Sequence, residues 1–250
     1  MSADIVISDP CVIFALRRES MYFRRAYPFQ QRFAGAPCRA EFRGPASQTV
    51  LMLETGIGTA AMEEAVRWCL GKPRFGDVLY RPRFVVSVGF SGALQAEQCV
   101  GDLVLATEVV DQQGNRWPAL HTTPLPYREI LLGRILCVGE LASDPREKAR
   151  LGEQYQALAV DMESAAAAHV CQEHNVPLVC LRVISDDRNT ALSPHLVELL
   201  RRGRLSWLRL AGTLLRHPRL IGELWRLAGS SRRAAKQLLA VGSLLSVLDR

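Results

Sequence analysis

The sequence predicts an α/β fold: a single three-layer domain with a mixed, mostly parallel central sheet flanked by helices, plus a helical, basic C-terminal extension. Three observations carry this prediction. Short apolar runs alternate with segments of helical spacing, several of these runs have no polar alternation, and the charge changes abruptly near residue 195. We therefore place the α/β domain at residues 1–194 and the extension at residues 195–250.

Seven apolar runs have the length and composition of strands. Several are continuous and rich in Val, Ile and Leu, which is typical of strands buried on both faces. The runs cover residues 11–16, 49–54, 84–89, 103–110, 135–138, 157–160 and 178–184.

Three segments between these runs, residues 60–70, 145–156 and 163–174, have the spacing of helices. Strands that alternate with helices run parallel, so their carboxyl ends meet at one edge of the sheet. Ligands of such sheets bind beyond that edge. The residues that carry chemistry are therefore expected just after the strands.

The composition limits the class of protein. A chain of 250 residues, 48% hydrophobic and 22% charged, can form one α/β domain with a sizeable core and is not expected to be disordered. Seven scattered cysteines without a C-x-x-C pair argue against a disulfide framework or a zinc site and indicate a reduced compartment. We see neither a signal peptide nor 18 consecutive uncharged apolar residues, and therefore expect a cytoplasmic protein.

The positive charge is concentrated in the C-terminal extension. Residues 201–250 contain eleven Lys and Arg against Glu223 and Asp249, a formal +9, so the other 200 residues carry −3 of the total +6. Leucines recur there at helical spacing with arginines between them, a basic amphipathic pattern that allows residues 204–250 to lie on an anionic membrane surface. The alternative is that the apolar stripe packs on the domain or on a partner subunit. Nucleic acid is disfavoured, because the body has no basic groove interleaved with aromatic residues.

Five segments place polar or small residues just beyond a strand. Three of them place carboxylates beyond the strand, which suits acid and base chemistry on a polar substrate. The two others are glycine turns, which let the backbone approach a ligand closely. The segments are residues 15–19, 54–59, 87–92, 160–165 and 184–187.

Each carboxylate also has a simpler explanation. Glu163 is placed where an acid in the first turn of a helix is favoured by the helix dipole. Asp186 or Asp187 would suit a turn or a helix cap. Glu19, beside two arginines, has the pattern of a solvated surface charge.

Taken together, the segments resemble the nucleoside phosphorylase and nucleosidase superfamily over about residues 10 to 190. The most specific part is Val160-Asp-Met-Glu-Ser-Ala-Ala-Ala-Ala-His-Val, followed by Asn175-Val-Pro and Leu181-Arg-Val-Ile-Ser-Asp186. This part is similar to methylthioadenosine/S-adenosylhomocysteine nucleosidases. Val100-Gly-Asp-Leu-Val and the glycine turns match in the same order. The C-terminal segment resembles the hopanoid-associated branch, which is implicated in removing adenine from adenosylhopane.

The resemblance implies hydrolysis of the N-glycosidic bond of an adenosine-type nucleoside, without a cofactor or metal. It assigns Asp186 as the acid that protonates the purine at N7 and Glu163 as the carboxylate that holds the ribose hydroxyls. Met162 would pack beside the sugar, and Glu19 would position the attacking water. These roles make chemical sense, because the departing base needs a proton and the developing sugar cation needs nearby negative charge.

Further substrate-binding residues follow from the same resemblance. They are Ser185, Gly58, Phe90, Ser91, Gly92 and Asp161. Asp161 replaces the glutamate usual in the family, and the aromatic residues that usually flank the purine are not found in the sequence.

Two other functions compete with the nucleosidase. A phosphorylase would use phosphate in place of water, and Arg17 and Arg18 could reach an anion; Glu19 favours water, and Phe90 stands where the family commonly has serine. A catalytically silent member would only bind a nucleoside or a lipid. The family resemblance also implies a homodimer and a substrate that can be linked to a lipid, with the protein at the inner face of the membrane.

Overall fold

The predicted α/β architecture is confirmed in the structure, a computed structural model. Helices cover both faces of a mixed central sheet, which makes three layers. The structure describes residues 5–45, 49–75, 78–121, 130–191, 229 and 234–248.

Thirteen strands and five helices lie in the described part of the chain. The strands are β1 (Ile5–Ile7), β2 (Cys11–Phe14), β3 (Phe29–Arg32), β4 (Arg39–Arg43), β5 (Val50–Glu54), β6 (Arg74–Phe75), β7 (Val78–Tyr80), β8 (Val85–Ala93), β9 (Leu103–Asp111), β10 (Arg116–Pro118), β11 (Ile130–Cys137), β12 (Ala157–Asp161) and β13 (Leu178–Asp186). The helices are α1 (Arg17–Ala26), α2 (Thr59–Leu70), α3 (Pro145–Tyr155), α4 (Ser164–Glu173) and α5 (Ala240–Leu248).

The main sheet closes on itself at one end. Its order is β10-β9-β11-β12-β8-β2-β5-β4-β3, and β13 pairs with both β8 and β9. Five strands, β8, β12, β11, β9 and β13, therefore form a ring of pairings. The central pairs β2–β5, β2–β8 and β8–β13 are parallel, so their carboxyl ends lie together. A small separate sheet contains β1, β7 and β6.

All seven predicted strands and all three predicted helices are present, with differences at their ends. Strand β8 continues to Ala93 and β13 continues to Asp186, beyond the apolar runs that predicted them. The pairing of Asp186 with Gly92 explains this extension, because a partner strand satisfies the backbone of residues whose side chains are typical of turns. Helix α1 was not predicted, since its charged residues obscure the helical stripe.

The two faces of the sheet bury different residues of the same strand. In β2, Cys11 and Ile13 belong to the cluster that packs against α2 and α4, whereas Val12 and Phe14 belong to the cluster that packs against α1 and α5. This alternation follows from the two-residue period of a strand. It places a helix layer on each side of the site edge.

Helix α5 completes the second of these clusters. Leu238, Val241, Leu244 and Leu245 are buried there, against α1 and the central strands. Gly242 faces the ring of Tyr27 so closely that an added Cβ would lie 3.1 Å from the phenol oxygen.

The end of the predicted extension therefore packs on the domain, while residues 192–228 and 230–233 lie outside the described residues. The boundary at residue 195 and the helices predicted between residues 195 and 233 stay predictions. Within the described ranges, no helix is both long and apolar enough to cross a membrane. All seven cysteines are free thiols, as their spacing predicted.

Substitution of Leu245 by Ala is expected to lower the free energy of unfolding by about 2–5 kcal/mol, because it leaves a cavity beneath α5. Leu239→Ala is the matched control. The side chain of Leu239 is 38% exposed, so its loss should change stability by less than about 1 kcal/mol. Denaturant unfolding measures both variants, and equal effects would contradict the docking of α5.

Candidate active site

The five segments predicted from the sequence meet at the carboxyl edge of the central strands. Strands β2, β5, β8, β12 and β13 lead into them. Direct hydrogen bonds and close approaches connect each segment to another, so the edge forms one continuous site.

Glu19 is buried at this edge, with 3% of its surface exposed. Its Oε2 accepts a hydrogen bond from the Leu16 backbone N–H (2.7 Å), and its Oε1 accepts one from the Phe90 N–H (2.8 Å). Burial raises the pKa of Glu19 to about 7, and the negative charge of Glu163 adds to the rise; the two N–H donors and Arg182 oppose it. The carboxyl group can therefore gain or lose a proton near neutral pH.

Glu19 is not the solvated charge that its sequence neighbours suggest. Arg17 and Arg18 are exposed in the first turn of α1, whereas Glu19, Ser20 and Phe23 face inward. The helical period separates them, because residues 17 and 18 project from the opposite side of the turn.

Gly89 makes room for Glu19. A Cβ at Gly89 would lie 3.0 Å from Oε1 of Glu19, tighter than ordinary van der Waals contact. The small residue therefore lets the carboxylate reach the backbone of β8, where the Phe90 N–H lies.

Glu163 connects the start of α4 to the glycine turn before α2. Its Oε1 accepts a hydrogen bond from the Gly58 N–H (2.9 Å), and Gly58 adopts φ 105°, which favours glycine. The Thr59 hydroxyl donates to the Met162 carbonyl (3.2 Å) across the same junction. Burial raises the pKa of Glu163, and nearby Asp161 adds to the rise. The side chain of Glu163 makes no capping hydrogen bond to its own helix. The simpler explanation, an acid placed only to suit the helix dipole, therefore does not account for its contacts.

Asp161 performs the capping that Glu163 does not. Its carboxylate accepts hydrogen bonds from the Ser164 N–H (3.1 Å) and hydroxyl (2.6 Å). Its Oδ2 also accepts from both Nε and Nη2 of Arg182, each at 2.7 Å. Arg182 donates further to the Ser87 carbonyl (2.9 Å) and hydroxyl (3.0 Å). Predicted as a substrate-binding residue, Asp161 is held on these partners and lines the cleft from behind.

Asp186 ends β13 beside Gly92, where an added Cβ would lie 3.1 Å from its Oδ2. Its Oδ1 accepts a hydrogen bond from the Ser185 hydroxyl (2.8 Å), and its Oδ2 accepts one from the Lys148 ammonium. Asp187 takes the turn role instead, since its side chain and carbonyl bind Thr190. The structure thus assigns the two adjacent acids to different tasks.

Lys148 was not predicted as a site residue. It lies on α3, and its side chain is fully buried. The signal was present in the sequence, because Lys148 shares the inward stripe of the helix with Leu151 and Gly152 at spacings of three and four residues. A lysine on an apolar stripe is nearly always paired.

About 230 Å³ of space beyond Asp186, part of it open to solvent, forms a cleft lined by aliphatic side chains and by the carboxylates of Asp161 and Asp186. Its lining is Gly92, Val138, Leu141, Ala142, Val160, Asp161, Met162 and Asp186. Among the described residues, this lining contains no aromatic side chain.

Ser91 and Phe90 contribute to the site mainly through their backbone. The Ser91 hydroxyl donates to the Val183 carbonyl (3.4 Å), and its own carbonyl accepts from the Ser185 hydroxyl (3.2 Å). The Phe90 ring packs against the α1 and α5 side of the core. In the described ranges, no group of three or more His, Cys, Asp or Glu side chains is arranged to hold a metal ion.

Comparisons with known proteins agree with this arrangement. The phosphorylase superfamily model matches residues 12–128 and 118–199. A 5′-methylthioadenosine/S-adenosylhomocysteine nucleosidase of Bacillus thuringiensis subsp. konkukian is 26% identical over 70% of this chain and 84% of its own length.

Solved structures show the same fold. The nucleosidase of this name from Neisseria meningitidis, in complex with methylthio-immucillin-A, matches with a TM-score of 0.69 at 17% identity, covering 96% of this chain and 99% of its own. Futalosine hydrolase of Helicobacter pylori matches with a TM-score of 0.66 at 16% identity, covering 94% and 97%. The resemblance stated from the motifs is confirmed, and the chain belongs to the phosphorylase superfamily.

Proposed function

We propose that this chain hydrolyses the N-glycosidic bond of an adenosine-type nucleoside and releases the purine. The observation that carries the proposal is that Glu19, Glu163 and Asp186 lie at one edge of the sheet, each fixed by hydrogen bonds from another segment. Similarity to enzymes named as nucleosidases supports the same reaction.

Each carboxyl group has a separate task. Asp186 delivers a proton to N7 of the departing purine, which lies against the aliphatic wall of the cleft. Glu163 holds the ribose hydroxyls with Met162 beside the sugar, and its negative charge faces the developing oxocarbenium ion. Glu19 orients the water and accepts its proton, for which a pKa of about 7 is well matched.

The remaining predicted residues shape the site around these groups. We assign Gly58 and Gly92 to close backbone approach of the substrate, and Phe90, Ser91 and Ser185 to holding Glu19 and Asp186 in place. Asp161 acts through Arg182 and through the start of α4.

Water is favoured over phosphate as the acceptor. The buried arginine of the site, Arg182, already donates to Asp161 and Ser87. Arg17 and Arg18 project into solvent from the outer side of α1. A phosphate beside Glu19 would therefore be repelled by the carboxylate, and none of the three arginines is placed to neutralise its charge.

A silent, nucleoside-binding protein fits the site less well. Holding Glu19 in a buried position raises its pKa from 4.5 to about 7, which corresponds to roughly 3 kcal/mol against the charged form. A protein that only binds a ligand does not need a carboxylate in this unfavourable buried position. An enzyme that uses a general base near neutral pH does need a carboxylate with a raised pKa.

The purified protein is expected to release free base from an adenosine-type nucleoside at the same rate with and without phosphate. A panel with different 5′ groups, including methylthioadenosine, S-adenosylhomocysteine and a lipid-linked adenosine, would identify the substrate. The measurement is chromatographic detection of the base and of the sugar product. Strict dependence on phosphate, with ribose 1-phosphate as product, would favour the phosphorylase.

The matched controls for this assay are two adjacent carboxylates. Asp186→Asn should lower kcat by about 10²–10⁴, the usual contribution of a general acid, whereas Asp187→Asn should retain most activity. Circular dichroism checks that both variants fold. Near-normal turnover by Asp186→Asn would remove the central assignment.

The activity is expected to rise with pH through about 7, because Glu19 must be ionised to accept a proton from water. Below that pH, kcat/KM should fall about tenfold per unit, since kcat/KM reports the free enzyme. Measurement between pH 5 and 9 tests this expectation. An acid limb near pH 4.5 would show that burial does not perturb Glu19.

Stability provides an independent reading of the same group. The folded-state pKa of Glu19 lies above its usual value of 4.5. Its favourable contribution to the free energy of unfolding is therefore fully present below pH 4.5 and is lost as the pH rises through 7. The wild type should therefore lose stability relative to Glu19→Gln across this range, by roughly 3 kcal/mol at most.

We further propose that the protein is cytoplasmic and that the basic segment within residues 204–250 contacts the anionic inner surface of the membrane. The +9 charge of residues 201–250 and the arginines between its leucines support this placement. A protein at this surface would have direct access to a lipid-linked nucleoside, such as adenosylhopane, in the membrane. A homodimer is proposed from the family resemblance alone.

Liposome co-sedimentation should depend on anionic lipid and should fall when Arg204, Arg209 and Arg216 are changed together to Glu. Charge reversal is preferable to deletion, because removing residues 204–250 would also remove the α5 core. The matched control reverses Arg146 and Arg150, two exposed arginines of α3. Binding that ignores lipid charge would contradict membrane contact.

A further inference from the structure

Lys148 occupies a position that the proposed reaction leaves unexplained. Its ammonium has three donors, and three oxygens accept from it: the carboxylate of Asp186, the carbonyl of Asp187 (3.0 Å) and the carbonyl of Thr190 (3.3 Å). The side chain is fully buried and is not part of the cleft lining. Lys148 therefore reaches the cleft only through Asp186.

Both oxygens of Asp186 accept hydrogen bonds, one from the ammonium of Lys148 and one from the Ser185 hydroxyl. The departing purine needs a proton, and the ammonium that contacts Asp186 directly carries one. Lys148 is therefore placed to pass a proton to Asp186.

The other charged groups facing this corner are engaged elsewhere. Asp161 on β12 is paired with Arg182, and a guanidinium does not release a proton at working pH. Glu163 accepts from the glycine turn, and Glu19 lies at the backbone of Phe90. On the following turn, the side chain of Asp187 accepts from the Thr190 hydroxyl. The ammonium of Lys148 is the acid that touches Asp186.

We propose that Lys148 supplies the proton that Asp186 delivers to the leaving purine. This inference rests on the proposed nucleosidase function and adds a positioning residue to it. The proton moves from Nζ of Lys148 to Oδ2 of Asp186, the oxygen that also lies beside Gly92 at the cleft. Lys148 acts through Asp186 and does not touch the substrate.

The C–N bond breaks, its electron pair stays with the purine, and the proton on Asp186 passes to N7. Water adds to the sugar cation and gives its proton to Glu19. Lys148 is then neutral and Glu19 is protonated, and exchange of one proton each with solvent restores the resting state.

Two variants separate proton supply from electrostatic support. Lys148→Arg keeps the positive charge and the hydrogen-bond donors but does not release a proton, and Lys148→Met removes both. Both are expected to lower kcat on the purine nucleoside by about 10²–10⁴. Above pH 7, where Glu19 is ionised, the residual activity of Lys148→Met should increase as the pH falls, because Asp186 must take its proton from solvent.

A substrate with a leaving group that needs no proton provides the decisive comparison. On a 4-nitrophenyl riboside that carries the 5′ group of the best nucleoside, both variants should retain activity within about tenfold of the wild type. Arg146→Met, which removes an exposed charge from the same helix, is the control and should leave both activities unchanged.

Three outcomes would overturn the inference. Near-normal purine cleavage by Lys148→Arg would show that charge alone suffices. Equal losses on both substrates by variants that remain folded would show that Lys148 only anchors the turn at residues 187–190. If the wild type cleaved the aryl riboside but no purine nucleoside, the proposed function would be wrong. The inference that Lys148 supplies a proton to a purine would then also be wrong.

Discussion

The buried guanidinium of Arg182 joins the three strands on which the site is built. It lies on β13, pairs with Asp161 at the end of β12, and donates to Ser87 on β8. Burying these charges is tolerable only because the guanidinium donates twice to Oδ2 of the carboxylate and both groups make further hydrogen bonds. Removing one partner would leave an unpaired buried charge, a cost of about 3–5 kcal/mol. The start of α4, and with it Glu163, depends on the same pair through Ser164.

The carboxylates of the site are placed by strand β8 as much as by their own segments. Gly89 admits Glu19 to the backbone of β8, and Gly92 admits Asp186. A side chain at either position would push a carboxylate away from its hydrogen-bond donors. The spacing of three residues between these glycines therefore sets the separation between Glu19 and Asp186.

The sequence predicted the elements and the acids but not how the acids are held. The apolar runs and helical periods identified the strands and helices that position Glu19, Glu163 and Asp186. Sequence spacing left even Glu19 open to interpretation as a surface charge, because the inward side of α1 is decided by the core beneath Phe23. Lys148 was missed because its partner is 38 residues away in the chain and on another layer.

The sequence by itself determined the fold class, the family and the edge of the sheet where the candidate site lies, because these depend on local periodicity and on motifs in a fixed order. The tertiary structure alone decided which of Asp186 and Asp187 faces the cleft, which acid caps α4, and that α5 belongs to the core. The physical reason is that these outcomes depend on contacts between distant segments. Burial and hydrogen-bond partners, which set the charge of a carboxyl group, exist only once the strands are paired.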